Sequence, residues 1–371
     1  MSESEQATYG VAEVADAKRI PAPILPYQPQ NPRAYHPAIA LIGCGGISEQ
    51  HLRAYQKAGY RVVALCDRHL ERADRRRAQF SPHADLYTDY RRVLDRPDID
   101  VVDLTPHPHD RLLLIEDALR AGKHVLSQKP FVLDLDDGDR LVELARRQGV
   151  TLAVNQNGRW APHFSYMRQA VQHGMVGDVI AVHLSVHWNH HWIVGTSFEN
   201  IRHLILYDFG IHWFDMVHCL MGKRAPRRVY ARATRSAGQT ARPPLLAQAI
   251  IEYDDAQASL VFDADTKLGP LDESVVIGTK GTIRSSGVDL QQQTLTLTTE
   301  AGEAVPKLEG KWFPDGFHGA MAELLCAIED RREPVNNARD NLASLALCFA
   351  ALASVDRRHP VEVGTARRMQ P

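Results

Sequence analysis

The chain has 371 residues, 44% hydrophobic and 24% charged, with a formal net charge of −2. That length predicts two domains rather than one core, and the near-neutral balance excludes an overall basic field for nucleic acid or an anionic membrane. No apolar run approaches the ~20 residues that span a bilayer.

The N-terminal Met1-Ser2-Glu3-Ser4-Glu5-Gln6 is polar and acidic, unlike a signal peptide. The five cysteines, at 44, 66, 219, 326 and 348, form no C-x-x-C pair. They read as free thiols, and the expectation is a cytoplasmic protein. Residues 1–36 form a proline-rich arm, with Pro21, Pro23, Pro26, Pro29 and Pro32 favouring an extended segment. Disorder is expected for 1–15. For 18–36 a disordered tail and an arm laid across a neighbouring domain or subunit are equal readings.

Residues 37–157 alternate strand and helix patterns. Strands are predicted at 38–42, 61–66, 100–104, 124–127 and 151–155, and helices at 48–58, 69–79, 88–95, 110–121 and 136–148. Such alternation predicts a parallel sheet covered on both faces, a Rossmann domain. Its first strand enters the glycine turn Gly43-Cys44-Gly45-Gly46-Ile47-Ser48, the turn opens a helix, and the next strand ends on Asp67. This is the layout of a dinucleotide-binding unit. Gly43 permits the tight turn and Gly45 lets the backbone approach a pyrophosphate. The helix start at Gly46, Ile47 and Ser48 presents N–H groups to that anion. Ser48 stands where a third glycine or alanine is usual and is small enough for helix–strand packing.

Beyond 157 the pattern changes. Helices are predicted at 163–174, 208–221, 317–331 and 338–354. Strands are predicted at 178–188, 228–236, 245–253, 257–264, 273–278 and 288–298, with Val361-Glu362-Val363 a last short one. Strands joined by short turns predict a mostly antiparallel sheet. The fold class is therefore α/β, a Rossmann domain followed over 158–371 by an α+β domain.

Three further stretches carry candidate chemistry. Ser127-Gln128-Lys129-Pro130 lies at the carboxyl edge of the parallel sheet, which faces a bound dinucleotide. Asn155-Gln156-Asn157-Gly158-Arg159-Trp160 lies where the two patterns meet. Asp208-x-Gly210-x-His212-x-x-Asp215 places Asp208 and His212 on one helix face.

In these motifs the sequence resembles the Gfo/Idh/MocA oxidoreductases. The resemblance rests on Gly43–Ser48, Ala121-Gly122-Lys123-His124-Val125-Leu126, Gln128-Lys129-Pro130 and the Asp208 to Asp215 motif, and covers about 37–365. It implies a C-terminal domain with a large open sheet, often used for oligomer contacts and here for a homodimer or homotetramer. It also implies hydride transfer between NAD(P) and a sugar, cyclitol or related polyol.

Oxidising a secondary alcohol needs a base for the hydroxyl proton and a donor for alkoxide charge. His212 is the expected base, Lys129 the donor to the reacting oxygen, and Asp208 the group that orients both; the resemblance implies the same roles. The family usually has Glu-Lys-Pro, so Gln128 removes a carboxylate beside Lys129. A lower Lys129 pKa than in an acid-bearing version is expected. Asp67 accepts a ribose hydroxyl and repels a 2′-phosphate, favouring NAD, while Arg68 leaves NADP possible. Thr105, Pro106, His107 and His109 lie on the cofactor-edge loop, and Gln128, Lys129 and Asn157 complete the expected cofactor contacts. Arg159 and Trp160 either flank the substrate or tie the domains together.

The histidines at 183, 187, 190 and 191 invite a metal reading, but no H-E-x-x-H or cysteine-rich pattern supports it, and no metal is expected. His190 and His191, with Trp188 and Trp192, are expected to form a sugar-binding wall or to be ordinary strand residues. Two rival functions stay open. Tightly held, recycled NAD would support elimination, epimerisation or glycoside cleavage. A non-catalytic NAD-binding sensor is the other.

Overall fold

A computed structural model describes residues 18–369. The expectation of disorder at 1–15 lies outside them. The first sheet holds β1 (Ala38–Ile42), β2 (Arg61–Cys66), β3 (Asp85–Tyr87), β4 (Ile99–Leu104), β5 (His124–Gln128) and β6 (Leu152–Asn155). All pairings are parallel, in the order β3-β2-β1-β4-β5-β6. The order reverses between β1 and β4, and ligands bind at such switch points. Strand β1 is buried along its whole length, as expected for a strand covered on both faces. Helices α1 (Ser48–Ala58), α2 (Leu70–Phe80), α3 (Tyr90–Leu94), α4 (Pro108–Arg120) and α5 (Leu135–Gln148) connect the strands. The edge strand β3 is three residues long, too short to show a period in the sequence.

The second domain begins with α6 (Pro162–Gln172) and β7 (Val179–His187). A π-helical turn, Ile205–Phe209, leads into α7 (Ile211–Met221). Asp208 therefore lies on the π turn, not on the continuous helix 208–221 expected from the sequence. Then follow β8 (Arg228–Thr234), β9 (Leu246–Glu252), β10 (Gln257–Asp263), β11 (Leu271–Gly278), β12 (Gly281–Asp289), β13 (Gln292–Thr299) and β14 (Gly302–Ala304). Helices α8 (Trp312–Asp330) and α9 (Ala338–Arg357) and strand β15 (Val361–Glu362) complete the chain.

The nine strands run β14-β13-β12-β11-β7-β10-β9-β8-β15, with β7 and β10 parallel and every other pair antiparallel. The predicted strand 288–298 is in fact the end of β12 and most of β13. They are joined by a tight turn in which Asp289 Oδ1 accepts the N–H groups of Gln291 and Gln292. Polar Ser285, Ser286 and Gly287 hid β12. Helices α6, α7 and α9 pack against this sheet. Its other face is open, and Tyr230 and Ile250 stand exposed on it.

The chain then returns to the first domain. Phe317, Met321, Leu324 and Leu325 of α8 pack on Ile39, Val101, Leu126 and Ala153 of the parallel sheet. Helix α9 is long and apolar enough in composition to cross a bilayer, which the sequence reading overlooked. It is buried against β8, α7 and α5, so its apolarity serves the core.

The proline-rich segment lies across its own chain. Ile20 N–H bonds Glu303 O, Tyr166 Oη donates to Pro23 O, and Ser165 Oγ donates to Tyr27 O. The Glu329 carboxylate accepts the N–H groups of Arg33, Ala34 and Tyr35. Those bonds hold its pKa down at about 2.

Candidate active site

A cavity of about 930 Å³ opens between the carboxyl edge of the parallel sheet and the start of α7. Gly43, Gly45, Gly46 and Ile47 form one end, with Asp67, Arg68, Thr105, Pro106 and His107 beside them. Gly43 has φ +98°, and a Cβ there would meet Thr105 and Pro106 at 2.7–2.8 Å, so no side chain fits. Nothing lies within 4 Å of a Cβ built on Gly45 or Gly46, and no side chain caps α1. Open glycines before an uncapped helix start form a cradle that fits a pyrophosphate. Asp67 is fixed at the end of β2 by bonds from the N–H groups of Cys44 and His69, 2.8 and 2.9 Å.

Three expected cofactor contacts fall elsewhere or act indirectly. Ser48 is fully buried and donates to Gly45 O at 2.6 Å, so it braces the turn. His109 points outward beside Asp110, 88% exposed, because it lies on the first, solvent-facing turn of α4. Gln128 lines the cavity but turns inward. Its Oε1 accepts the Lys129 N–H at 2.7 Å and its Nε2 faces His51 Nε2 at 3.3 Å. His51 Nδ1 lies 2.7 Å from Asp103, which also accepts from Tyr55, and Asn155 Nδ2 lies 3.1 Å from His51 Nε2. The acidic acceptor fixes the proton on Nδ1, leaving Nε2 to accept from the two amides.

Lys129, at the end of β5, donates to Asp208 O at 2.7 Å and sits 3.5 Å from Asp208 Oδ2. The carboxylate expected to be missing beside the ammonium is thus supplied by the second domain. His212 lines the same cavity, nearly buried, against the Trp312 ring at 5.3 Å. Burial first, and the Lys129 charge second, hold its pKa well below the ordinary imidazole value. His190 also lines the cavity, with its pKa lowered to about 4 by burial. It contacts the rings of Trp188, Trp192 and Phe209. The ring nitrogens Trp188 Nε1, His190 Nδ1 and His212 Nδ1 are buried without partners among the described residues. Asn157 lines the cavity and accepts Trp312 Nε1 at 2.6 Å.

Arg159, Trp160 and His191 are not on the cavity wall. Arg159 is 2% exposed and bonds Asp215 through two nitrogens, at 2.7 and 2.6 Å, and Asp340 at 2.8 Å. It ties the segment after β6 to α7 and α9. Trp160 packs so closely on α8 that a Cβ on Gly319 would approach it to 2.2 Å. His191 pairs with Asp265 at 2.5 Å, and His183 and His187 bond Ser259 and Asp263 on β10. These histidines therefore serve different partners. Sequence reasoning missed Arg111, which is fully buried and donates to the carbonyls of Pro106, Pro130 and Phe131. It ties the cofactor-edge loop to the loop after Lys129. It also missed Asp272, a buried acid on the cavity wall.

A dinucleotide cradle at the switch point of a Rossmann sheet, opening on a cavity shared with a second domain, defines the class, an NAD(P)-dependent oxidoreductase. Residues 38–156 match the oxidoreductase family with an NAD-binding Rossmann fold, and residues 164–284 match the GFO/IDH/MocA C-terminal domain. The chain belongs to the Gfo/Idh/MocA family. It is 30% identical over 337 residues to the D-apiose dehydrogenase of Paraburkholderia graminis, covering 87% of this chain and 89% of that one. It is 24% identical over 341 residues to an inositol 2-dehydrogenase of Rhizobium meliloti, covering 87% and 98%. An Agrobacterium radiobacter oxidoreductase, solved with NAD+, L-tartaric acid and magnesium, has a TM-score of 0.79 at 23% identity, covering 89% and 99%. That likeness carries the fold.

Two predictions follow from these contacts. Asp215→Ala leaves a buried guanidinium short of its bidentate partner and should cost on the order of 3 kcal/mol of stability by urea unfolding; an unchanged midpoint would refute the role. Gln128→Glu replaces a donor facing His51 Nε2 by an acceptor, which only a protonated His51 satisfies. Meeting that requirement takes up a proton at the buried pair, so the variant's stability relative to wild type is greater at low pH and falls as pH rises. Thermal midpoint and rate should fall relative to wild type above about pH 7; coincident pH profiles would sink this account.

Proposed function

We propose that the protein oxidises a secondary hydroxyl of a sugar, sugar derivative or cyclitol, with Lys129, Asp208 and His212 as its catalytic residues. The observation that carries the reading is the convergence of these three on one cavity with the glycine cradle. The relatives named D-apiose dehydrogenase and inositol 2-dehydrogenase support the substrate class. Bound NAD supplies the hydride acceptor.

His212 is neutral at physiological pH and so ready to take the hydroxyl proton. Its protonation beside the Lys129 ammonium is offset by the Asp208 carboxylate. Lys129 donates to the oxygen as negative charge develops there. Trp188 and His190 offer an aromatic face and unpartnered ring nitrogens to a hydroxylated ring. Asp67, held by two backbone donors, accepts a ribose hydroxyl. The scattered, unpatterned spacing of the five cysteines supports the reading of a reducing cytoplasm.

The open face of the large sheet supports homo-oligomerisation. Tyr230, Ile250, Ser259, His183 and Val275 form one row across five strands, and a second copy would cover its apolar members.

Lys129→Met should lower turnover roughly 10²- to 10⁴-fold while NAD affinity, read by fluorescence titration, stays near wild type. Residual activity should lose its acid limb at higher pH than wild type, because His212 no longer faces a cation. Full turnover on a sugar or cyclitol would refute the assignment. Ile250→Arg should shift sedimentation toward the monomer; an unaltered profile would exclude this face as the interface.

A further inference from the structure

Asp272 has no part in the chemistry above. It sits on β11, opposite Val186 of β7 and Gly287 of β12. It is 2% exposed, and both carboxyl oxygens are buried with no hydrogen-bond partner among the described residues. It lies on the inner side of the sheet, where it lines the cavity that holds Lys129 and His212. An acid taken out of water without donors is strongly unfavourable, and folds satisfy such groups with few exceptions. Arginine or lysine would be the usual remedy, yet no cation pairs with Asp272 among the described ion pairs. Its charged neighbours, Asp289 and Glu273, are acids, and with burial they push its pKa up to about 7.

The cavity that Asp272 lines is where donors can reach it. A carboxyl group has two oxygens at a fixed spacing, suited to two adjacent hydroxyls. It serves them protonated or ionised, as a single cationic partner would not require. Asp272 and Asp289, both on the cavity wall, repel a substrate carboxylate.

We infer that Asp272 is a specificity-determining residue that accepts a vicinal pair of hydroxyls on the substrate, away from the reacting carbon, and disfavours acidic sugars. This rests on the functional reading above and names the part of the substrate that the sheet-side wall recognises. Asp272 positions the substrate and does not touch the transferred proton.

The test compares wild type with Asp272→Asn, and with Asp272→Ser should the first fail to fold. Each is assayed with NAD against neutral pentoses, hexoses and cyclitols, their mono-deoxy analogues and the matching uronic acids. Asp272→Asn should raise KM for the best neutral substrate about tenfold or more (about 1.4 kcal/mol per tenfold), with kcat changed far less. The deoxy analogue lacking a recognised hydroxyl should lose nothing further on substitution, so the two losses are not additive. Selectivity against the uronic acid should shrink. NAD affinity should be unchanged, and the thermal midpoint without substrate should not fall, because the unpartnered charge is gone. A wild type that oxidises a neutral polyol, with Asp272→Asn unaltered in KM and selectivity, overturns this inference alone. Equal losses across all analogues overturn it too. A wild type inactive on every neutral sugar and cyclitol overturns the functional reading and this inference together.

Discussion

The buried guanidinium of Arg159 sets the geometry on which the site depends. It leaves the end of the parallel sheet and enters a pocket made by Asp215 of α7, Asp340 of α9 and the carbonyl of Val335. Ser344 Oγ donates to Asp215 from α9, and His218 bonds the other oxygen of Asp340 at 2.8 Å. The two carboxylates share one cation, and the pKa of Asp340 is held far below its ordinary range although burial opposes it. Helix α7 is thereby fixed in rotation against the first domain. His212, one turn before Asp215, follows that rotation. A buried ion pair contributes little net stability but specifies one arrangement strongly when its partners come from different elements.

With α7 fixed, the cavity's electrostatics follow from what each wall can solvate. Lys129 and Asp208 arrive from different domains and satisfy each other, so neither charge is stranded. The imidazoles nearby have no such partner, and burial makes them neutral. One charged pair beside neutral, unpartnered acceptors is a sound arrangement for proton transfer from a hydroxyl. In the proposed reaction the ammonium would stabilise developing negative charge while the imidazole still has a lone pair to offer. An additional cation in place of either histidine would hold the alkoxide but have nowhere to put its proton.

Much of the framework was legible in the sequence because it repeats. Strands buried on both faces read as apolar runs, and a turn like Gly43–Ser48 has backbone requirements only glycine meets. Lys129 was picked from its place at the sheet edge, and Asp208 and His212 from their spacing; all three line one cavity. What was illegible depended on contacts between distant segments. Arg159 lies beside motif residues, where flanking the substrate and tying the domains together were both open readings, and only partners 56 and 181 positions away decide for the tie. Strand β12 is rich in serine and glycine, and only pairing with β11 and β13 makes it a strand. Asp272 alternates with Glu273 in a pattern where either could have faced solvent, and only register against Val186 decides.

The departure at Gln128 is also a matter of distant partners. A glutamate there would be judged by its distance from Lys129, its neighbour in sequence. The side chain instead points toward His51 on α1, and its identity is set by a chain of proton requirements. Asp103 accepts a hydrogen bond from Nδ1–H, so Nε2 must be met by donors, and an amide supplies a donor there while its oxygen holds the Lys129 N–H. Asn155 offers a second amide to the same nitrogen. A carboxylate would satisfy the Lys129 end and fail the His51 end unless the histidine took a second proton. The substitution is therefore coherent with the hydrogen bonding of the histidine beneath it, and the negative charge beside the ammonium comes from across the cavity. Separating these tasks lets the backbone of Lys129 be held by a network that stays neutral at Gln128, while its side chain is aimed by Asp208. The aim of the ammonium then depends on the contact between domains, as does the placement of His212.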